Sequence, residues 1–287
     1  MAGAGLLDIK RRIKSVTNTK KITKAMGLVA TSKLRKAKIQ LNVNNTYYEN
    51  MNSIFDLLTY KVEEIGNTVY VKGNKSNRKL YILISSDTGL CGGFNGSIAN
   101  YLNNNYQADK GNISIVIVGK KGISYVKKYN FETLAEYVDL GDNPTTKEAA
   151  MITNKVLREF NNGNFGEVNI VYTKFISQVT QEIVEEKLLP LKVSSQDTDK
   201  INYSIEYDEN DESALDLVIR SYLKSNIINA IFHSQTSEQS ARMQAMDGAS
   251  KNADDILNNL NIKYNRIRQS IITQEISEIV GGAEAQR

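Results

Sequence analysis

Ala253-Asp-Asp-Ile-Leu-Asn-Asn-Leu-Asn-Ile-Lys-Tyr-Asn-Arg-Ile-Arg-Gln-Ser-Ile271 is the stretch on which the fold turns. Ala253, Ile256, Leu260, Tyr264, Ile267 and Ile271 step by three or four residues and so hold one face of an α-helix. The pattern sits in a longer tract, Ser213–Val280, which contains neither of the two prolines and only one glycine, Gly248. Ser213 and Asp216 have the spacing of a capping box, and Gly281-Gly282 predict a stop. As one helix the tract would run roughly 100 Å at 1.5 Å per residue. A domain of about 150 residues is less than half that wide. Such a helix has to protrude, and something has to cover it.

Nearer its start the tract carries a wider stripe: Leu215, Val218, Ile219, Tyr222, Leu223, Ile227 and Ile231. That is the pattern of a helix root lying on a core. Between stripe and seam the side chains shrink to Ser240, Ala241, Ala245, Gly248, Ala249 and Ser250, which predicts the close approach of a second helix.

The first segment supplies that mate. Leu6, Ile9, Ile13, Val16, Lys20, Thr23, Gly27, Ala30, Leu34, Ala37, Leu41, Asn44, Tyr48, Met51, Phe55 and Leu58 keep a 3-4 repeat without a slip. All but Lys20, Thr23, Gly27 and Asn44 are apolar, and a heptad held this long argues for a coiled coil. Gly66 and Lys72-Gly-Asn-Lys-Ser-Asn77 end it. If the small patches around Ala25–Ala37 and Ala241–Ala253 face each other, the two helices pair antiparallel with partner numbers summing to about 278. Residues beyond about Ile276 then outrun their partner. Lys20, at a seam position, is expected to snorkel toward solvent.

The middle reads as α/β. Leu80–Ser85, Ile113–Gly119, Val168–Phe175 and Gln181–Leu189 are strand patterns, the last closed by Pro190. Helical patterns at Asn95–Asn105, Gly122–Tyr129 and Thr145–Phe160 alternate with them, which implies parallel strands joined by right-handed crossovers. The expected architecture is α/β: a long antiparallel coiled coil of the N- and C-terminal helices with a central Rossmann-like domain. Its parts are the helix 1–62, the α/β domain 75–207 and the helix 211–282.

Composition narrows the function. A 41% hydrophobic and 24% charged chain fits a folded protein rather than a disordered one. The single cysteine, Cys91, cannot form an internal disulfide, so a reducing compartment is expected. No run of about 18 apolar residues occurs, and the start lacks the apolar core of a signal peptide. Residues 1–40 hold eleven Lys and Arg against one acid, Asp8, a local charge of +10 that calls for an acidic partner.

Catalytic chemistry finds little footing. The loop Ser85-Ser-Asp-Thr-Gly-Leu-Cys-Gly-Gly-Phe-Asn95 stands where a nucleotide fold keeps its phosphate loop, yet it holds neither G-x-G-x-x-G nor a lysine. A tight turn packed by glycines is the simpler reading. Cys91 is expected to be a buried inert thiol, and the one histidine, His233, cannot by itself build a triad or a zinc site. Glu182, Glu185 and Glu186 read as the solvated edge of a strand. No catalytic, cofactor-binding or metal-ligating residue is expected. A nucleic-acid scaffold using the basic helix and an α/β enzyme with a helical dimerisation arm remain as alternatives. Against the first, aromatic side chains are missing from the basic stretch until Tyr47 and Tyr48.

Several of these segments together resemble the gamma subunit of F-type ATP synthases. Ser15-Val-Thr-Asn-Thr-Lys-Lys-Ile-Thr-Lys-Ala-Met26 and Val29-Ala-Thr-Ser-Lys-Leu-Arg-Lys-Ala37 are similar to that family's first helix. Asp87-Thr-Gly-Leu-Cys-Gly-Gly-Phe-Asn95 resembles its loop after the first central strand. Ser237-Glu-Gln-Ser-Ala-Arg-Met-Gln-Ala-Met246, Asn252-Ala253 and Tyr264–Val280 resemble its last helix. The resemblance implies a rotating central stalk whose coiled coil stands in a ring of three alpha and three beta subunits. Its α/β domain would sit with epsilon against the membrane rotor c-ring, on the cytoplasmic face of a bacterial plasma membrane. It further implies that Lys21, Lys24, Met26 and Arg35 face acidic loops of the beta subunits. Arg242, Gln244, Arg268, Gln269, Thr273 and Glu275 match contact positions on the last helix. Two positions depart from the family's pattern, Thr88 where Arg is usual and Gly27 where Glu is frequent.

Overall fold

Strands β1 (Lys79–Ile84) and β2 (Ile113–Val118) are runs of β-branched and large apolar residues with almost no exposed position, the signature of strands covered on both faces. A computed structural model describes residues 2–61, 68–141, 144–191 and 212–284. In it the chain runs α1 (Ala2–Lys61), α2 (Val69–Lys72), β1, α3 (Phe94–Tyr106), β2, α4 (Lys120–Lys128), β3 (Glu132–Tyr137), α5 (Thr146–Asn161), β4 (Glu167–Phe175), β5 (Gln181–Leu189) and α6 (Glu212–Glu284). Gly66 and the side chains of Leu58, Ser213 and Leu215 lie outside the described residues, and with them one end signal and the capping box.

Two compact units result, Met1–Thr31 with Arg242–Arg287, and Ser32–Ala241. The larger holds a five-stranded sheet of order β3-β2-β1-β4-β5. β1 pairs parallel with β2 (Lys79↔Ile113) and with β4 (Lys79↔Glu167), and β5 runs antiparallel to β4. Alternate side chains feed two cores. Leu80, Ile82, Ile84, Val168 and Ile170 pack with Ile152, Val156 and Phe160 of α5 and Ile219, Leu223, Ile227 and Ile231 of α6. On the other face Tyr81, Leu83, Ile115 and Ile117 meet Ile98 and Leu102 of α3 and Val126 of α4. Phe55 of α1 joins the first core and stacks on Tyr222, with centroids 3.9 Å apart.

The four expected strands are present, but β3 is an addition. Glu132-Thr-Leu-Ala-Glu-Tyr137 is a poor strand sequence that the hydrogen bonds of β2 recruit as an edge. β5 is the other edge, and while Glu182 is exposed as expected, Glu185 and Glu186 are half-buried and hydrogen-bonded. Glu185 accepts hydrogen bonds from the Tyr106 hydroxyl (2.8 and 2.9 Å) and the Tyr101 hydroxyl (3.2 Å), and Glu186 accepts from Tyr172 (2.8 Å). Burial, reinforced by Glu186, pushes the Tyr172 phenol far above its ordinary pKa.

In the smaller unit α1 and α6 pair antiparallel. Along the whole of α1, which contributes to both units, fifteen of the sixteen seam positions, from Leu6 to Phe55, are buried or half-buried; the sixteenth, Leu58, lies outside the described side chains. On α6 the seam is Ala253, Leu257, Leu260, Tyr264, Ile267 and Ile271, while Ile256 is 48% exposed. Leu257 replaces Ile256 because steps of 4-3-4-3-4 keep the 3.5-residue repeat of the partner helix, and the expected 3-4-4-3-4 does not. Lys20 does not snorkel but ion-pairs with Asp254, and Thr23 Oγ1 lies 2.8 Å from Ser250 Oγ. These partner numbers sum to about 273–274, not 278. Residues 272–283 are accordingly all exposed, so the unpaired end begins at Ile272. α6 continues through Gly281-Gly282, which do not stop it. A side chain at Gly27 would meet Met246 Cβ at an ordinary 3.5 Å, and one at Gly248 would meet nothing within 4 Å. Close approach therefore does not require either glycine.

Candidate functional site

Where an open α/β sheet usually receives a ligand, beyond the carboxyl ends of its strands, this one receives its own helix. The last pairing of β1 with β4 is Leu83↔Val171, so beyond it the β1 side of β4 has no strand to bond. Side chains of α6 take over. Ser234 Oγ accepts the Thr173 N–H (3.2 Å), His233 Nδ1 accepts the Phe175 N–H (3.3 Å), and Ser237 Oγ donates to the Thr173 carbonyl (3.0 Å). Ser240 Oγ donates to the Gln178 carbonyl in the β4–β5 turn (2.7 Å). Short polar side chains at these α6 positions satisfy backbone groups that would otherwise be buried without partners.

The loop after β1 is likewise spent internally. Ser85 Oγ donates to the Val118 carbonyl and accepts the Gly122 N–H, each at 2.9 Å. Asn95 Oδ1 accepts the Ser86 N–H (2.9 Å), and Cys91 is buried beside the Asn95 amide. Asp87 Oδ1 accepts the N–H of Lys120, the first residue of α4, at 2.9 Å. A carboxylate of the chain itself thus occupies the helix terminus that would suit a phosphate. The expected tight glycine turn is what forms. Among the described residues no group of three or more His, Cys, Asp or Glu could hold a metal ion, and no helix is long and apolar enough to cross a membrane.

His233 is buried, and burial, with Lys174 adding repulsion, lowers its pKa from 6.5 to about 4. Its folded pKa lies below its unfolded one, so the unfolded chain binds the proton more readily. The stability held by neutral His233 is complete above pH 6.5 and is lost as pH falls from 6.5 toward 4. The loss amounts to on the order of 2–3 kcal/mol. His233→Gln should flatten that limb of the stability profile. Parallel urea titrations of both chains between pH 7 and 4.5 check it, and equal slopes would clear His233 of the effect.

The remaining candidate surface is the exterior of the paired helices. Lys21, Lys24 and Arg35 of α1 are exposed, and Met26 is half-buried. On α6, Gln244, Arg268, Gln269, Thr273 and Glu275 are exposed, whereas Arg242 is buried at 8%. Thr273 Oγ1 donates to the Gln269 carbonyl of its own helix (2.9 Å), which leaves that face uninterrupted. The structure adds residues that motif reading passed over. Ile22, Leu28 and Val29 stand 56–67% exposed among the lysines of α1, and Ile272, Ile276, Ile279 and Val280 are 44–72% exposed on the end of α6. Their signal was present in the sequence as apolar residues off the 3-4 seam. Apolar side chains left in water beside a cationic face mark a surface that is covered in an assembly.

Comparison with known proteins gives this surface a context. The sequence profile of the ATP synthase family matches residues 5–286. The ATP synthase gamma chain of Clostridium perfringens is 60% identical over 287 residues, covering all of both chains. That of Clostridium kluyveri is 50% identical over 285 residues, 99% of each. Among solved structures, a chain of the Euglena gracilis mitochondrial ATP synthase (OSCP/F1/c-ring) superposes with a TM-score of 0.73 at 19% identity, covering 99% of this chain and 95% of that one. A chain of the central stalk and c-ring of the Tetrahymena thermophila mitochondrial ATP synthase gives 0.62 at 24% identity, over 80% and 99%.

Proposed function

Because the chain belongs to the ATP synthase gamma-chain family, we propose that it is the non-catalytic rotor shaft that couples ion flow through a membrane c-ring to ATP synthesis or hydrolysis in a ring of three alpha and three beta subunits. The observation that carries this reading is the exposed exterior of α1 and α6, basic and apolar at once, on helices whose seam is already filled. A filled crevice and a spent β1 loop suit a subunit that leaves nucleotide binding to its partners. The chain is a peripheral subunit, and we place it on the cytoplasmic face of a bacterial plasma membrane with epsilon beside its α/β domain.

Lys21, Lys24, Met26 and Arg35 are assigned to the beta-subunit loops, and Gln244, Arg268, Gln269, Thr273 and Glu275 to the surrounding ring. Buried Arg242 supports that face rather than touching the ring directly. Each exposed charge pair contributes about 0–1 kcal/mol, too little to hold a complex together. Such pairs are enough to make the shaft's angular positions unequal as it passes three beta subunits. Purified alone, the chain should turn over no ATP, and adding alpha and beta subunits should yield an active complex. Lys21→Glu with Lys24→Glu should reduce that complex's ATPase rate several-fold at low salt, leave the unfolding temperature of the chain unchanged, and recover in part at high ionic strength. Rates equal to the parent at every salt concentration would remove these lysines from the contact set.

A further inference from the structure

A shallow cleft between α5 and α6, open to solvent and about 110 Å³ in volume, is lined by Ala150, Thr153, Asn154, Leu217, Arg220, Ser221 and Lys224. No lining residue is acidic. Its guanidinium is held in place from behind: Arg220 Nε bonds Asp216 Oδ2, and Nη1 donates to Asn154 Oδ1 at 3.2 Å. Asp216 is engaged on its other oxygen as well, accepting from the Tyr70 hydroxyl at 2.9 Å. The nearest acid is thus spent on orienting the arginine. What remains is a set of donors: three N–H groups of Arg220, the Asn154 amide, the Ser221 hydroxyl and the Lys224 ammonium. Ser221 and Lys224, each half-buried, have no hydrogen-bond or ion-pair partner among the described residues.

We infer that this cleft is a binding site for a phosphate-sized oxyanion. Its size suits one such ion or a few waters, and a fixed guanidinium with a second cation one helical turn away matches the charge and fork geometry that phosphate selects. Partial neutralisation of Arg220 by Asp216 sets the affinity on the order of millimolar. The phosphoryl group is either free or carried by a nucleotide, and the test separates these sources.

The full-length chain would be titrated with inorganic phosphate at constant ionic strength, with chloride as the balancing ion, and followed by thermal unfolding and by amide chemical shifts on α5 and α6. The expected result is a saturable stabilisation with half-effect in the millimolar range, weakened at least ten-fold by Lys224→Gln and retained by Lys224→Arg. Arg220→Gln should abolish it; because that change also releases Asp216, Lys224→Gln and Ser221→Ala carry the test if the arginine variant fails to fold. ADP in place of phosphate assigns the source. A tighter response with the same dependence on Lys224 indicates a nucleotide, and an equal or weaker one indicates the free ion. Indistinguishable effects of phosphate and chloride, or a response that survives Lys224→Gln and Ser221→Ala unchanged, would overturn the site.

Discussion

Ending the chain after Ile271 is expected to leave the helix pair intact, whereas ending it ten residues earlier, after Asn261, should unpair the start of α1. Residues 272–283 are exposed throughout. Residues 262–271, by contrast, supply Tyr264, Ile267 and Ile271 to the seam, opposite a stretch of α1 that includes the buried Ile9. Full burial of such a side chain contributes about 1.5–3 kcal/mol, and half-burial correspondingly less. Losing all three half-buried side chains removes about 2–4 kcal/mol of local stability, more than a helix end held by one partner can spare. Amide hydrogen exchange over residues 5–16 reads this out. Protection should persist in the shorter cut and collapse in the longer one. Undiminished protection after the longer cut would mean that something other than residues 262–271 covers α1. If the proposed ring surrounds this end, the shorter cut also takes the exposed Ile272, Ile276, Ile279 and Val280 from it, and weaker turnover without loss of assembly is expected.

The second large effect lies in the α/β unit. Gly119 has a φ of +94°, and a Cβ there would fall 2.3 Å from the Ser85 carbonyl oxygen. Gly119→Ala therefore meets backbone, not a side chain that can rotate away. Relief would require moving either β1's end or the β2–α4 turn, and with it the Ser85 and Asp87 bonds that join them. A loss of more than about 3 kcal/mol, or failure to fold, is expected. Gly163→Ala is the control. Its φ of +75° is also left-handed, but nothing lies within 4 Å, so it should cost only about 1–2 kcal/mol. Urea unfolding of the two variants compares the terms, and equal losses would show that the contact with Ser85 relaxes freely.

Much of this architecture can be read from residue spacing, because the signals are local and repeated. The seam of α1, Leu6 to Leu58, is one pattern sustained for about fifteen turns, and no single polar residue, not Lys20 or Asn44, breaks it. Strands β1 and β2 announce themselves by continuous burial. β3 does not, since Glu132-Thr-Leu-Ala-Glu-Tyr137 becomes a strand only when β2 offers it a ladder. The choice of Leu257 over Ile256 was equally hidden, because both are apolar and only the phase of the opposing helix distinguishes them. The roles of Ser234, Ser237 and His233 had no sequence signature at all. They follow from where β1 happens to end. As for the surface, its cations were visible from charge counting, while Ile22, Leu28 and Val29 became meaningful once the seam had claimed its own residues.

The bonds from α6 to β4 also bear on what this fold can become. Many sheets of this topology keep an open crevice and can trade one small molecule for another by substituting a few lining side chains. Here the space is taken up by a helix whose own hydroxyls and imidazole complete the strand, so altering Ser234 or Ser237 creates an unsatisfied backbone group before it creates any cavity. A lineage starting from this sequence would have to withdraw a whole helix before a cargo pocket could open. Point mutation alone offers it no gradual path to a ligand crevice at these strand ends.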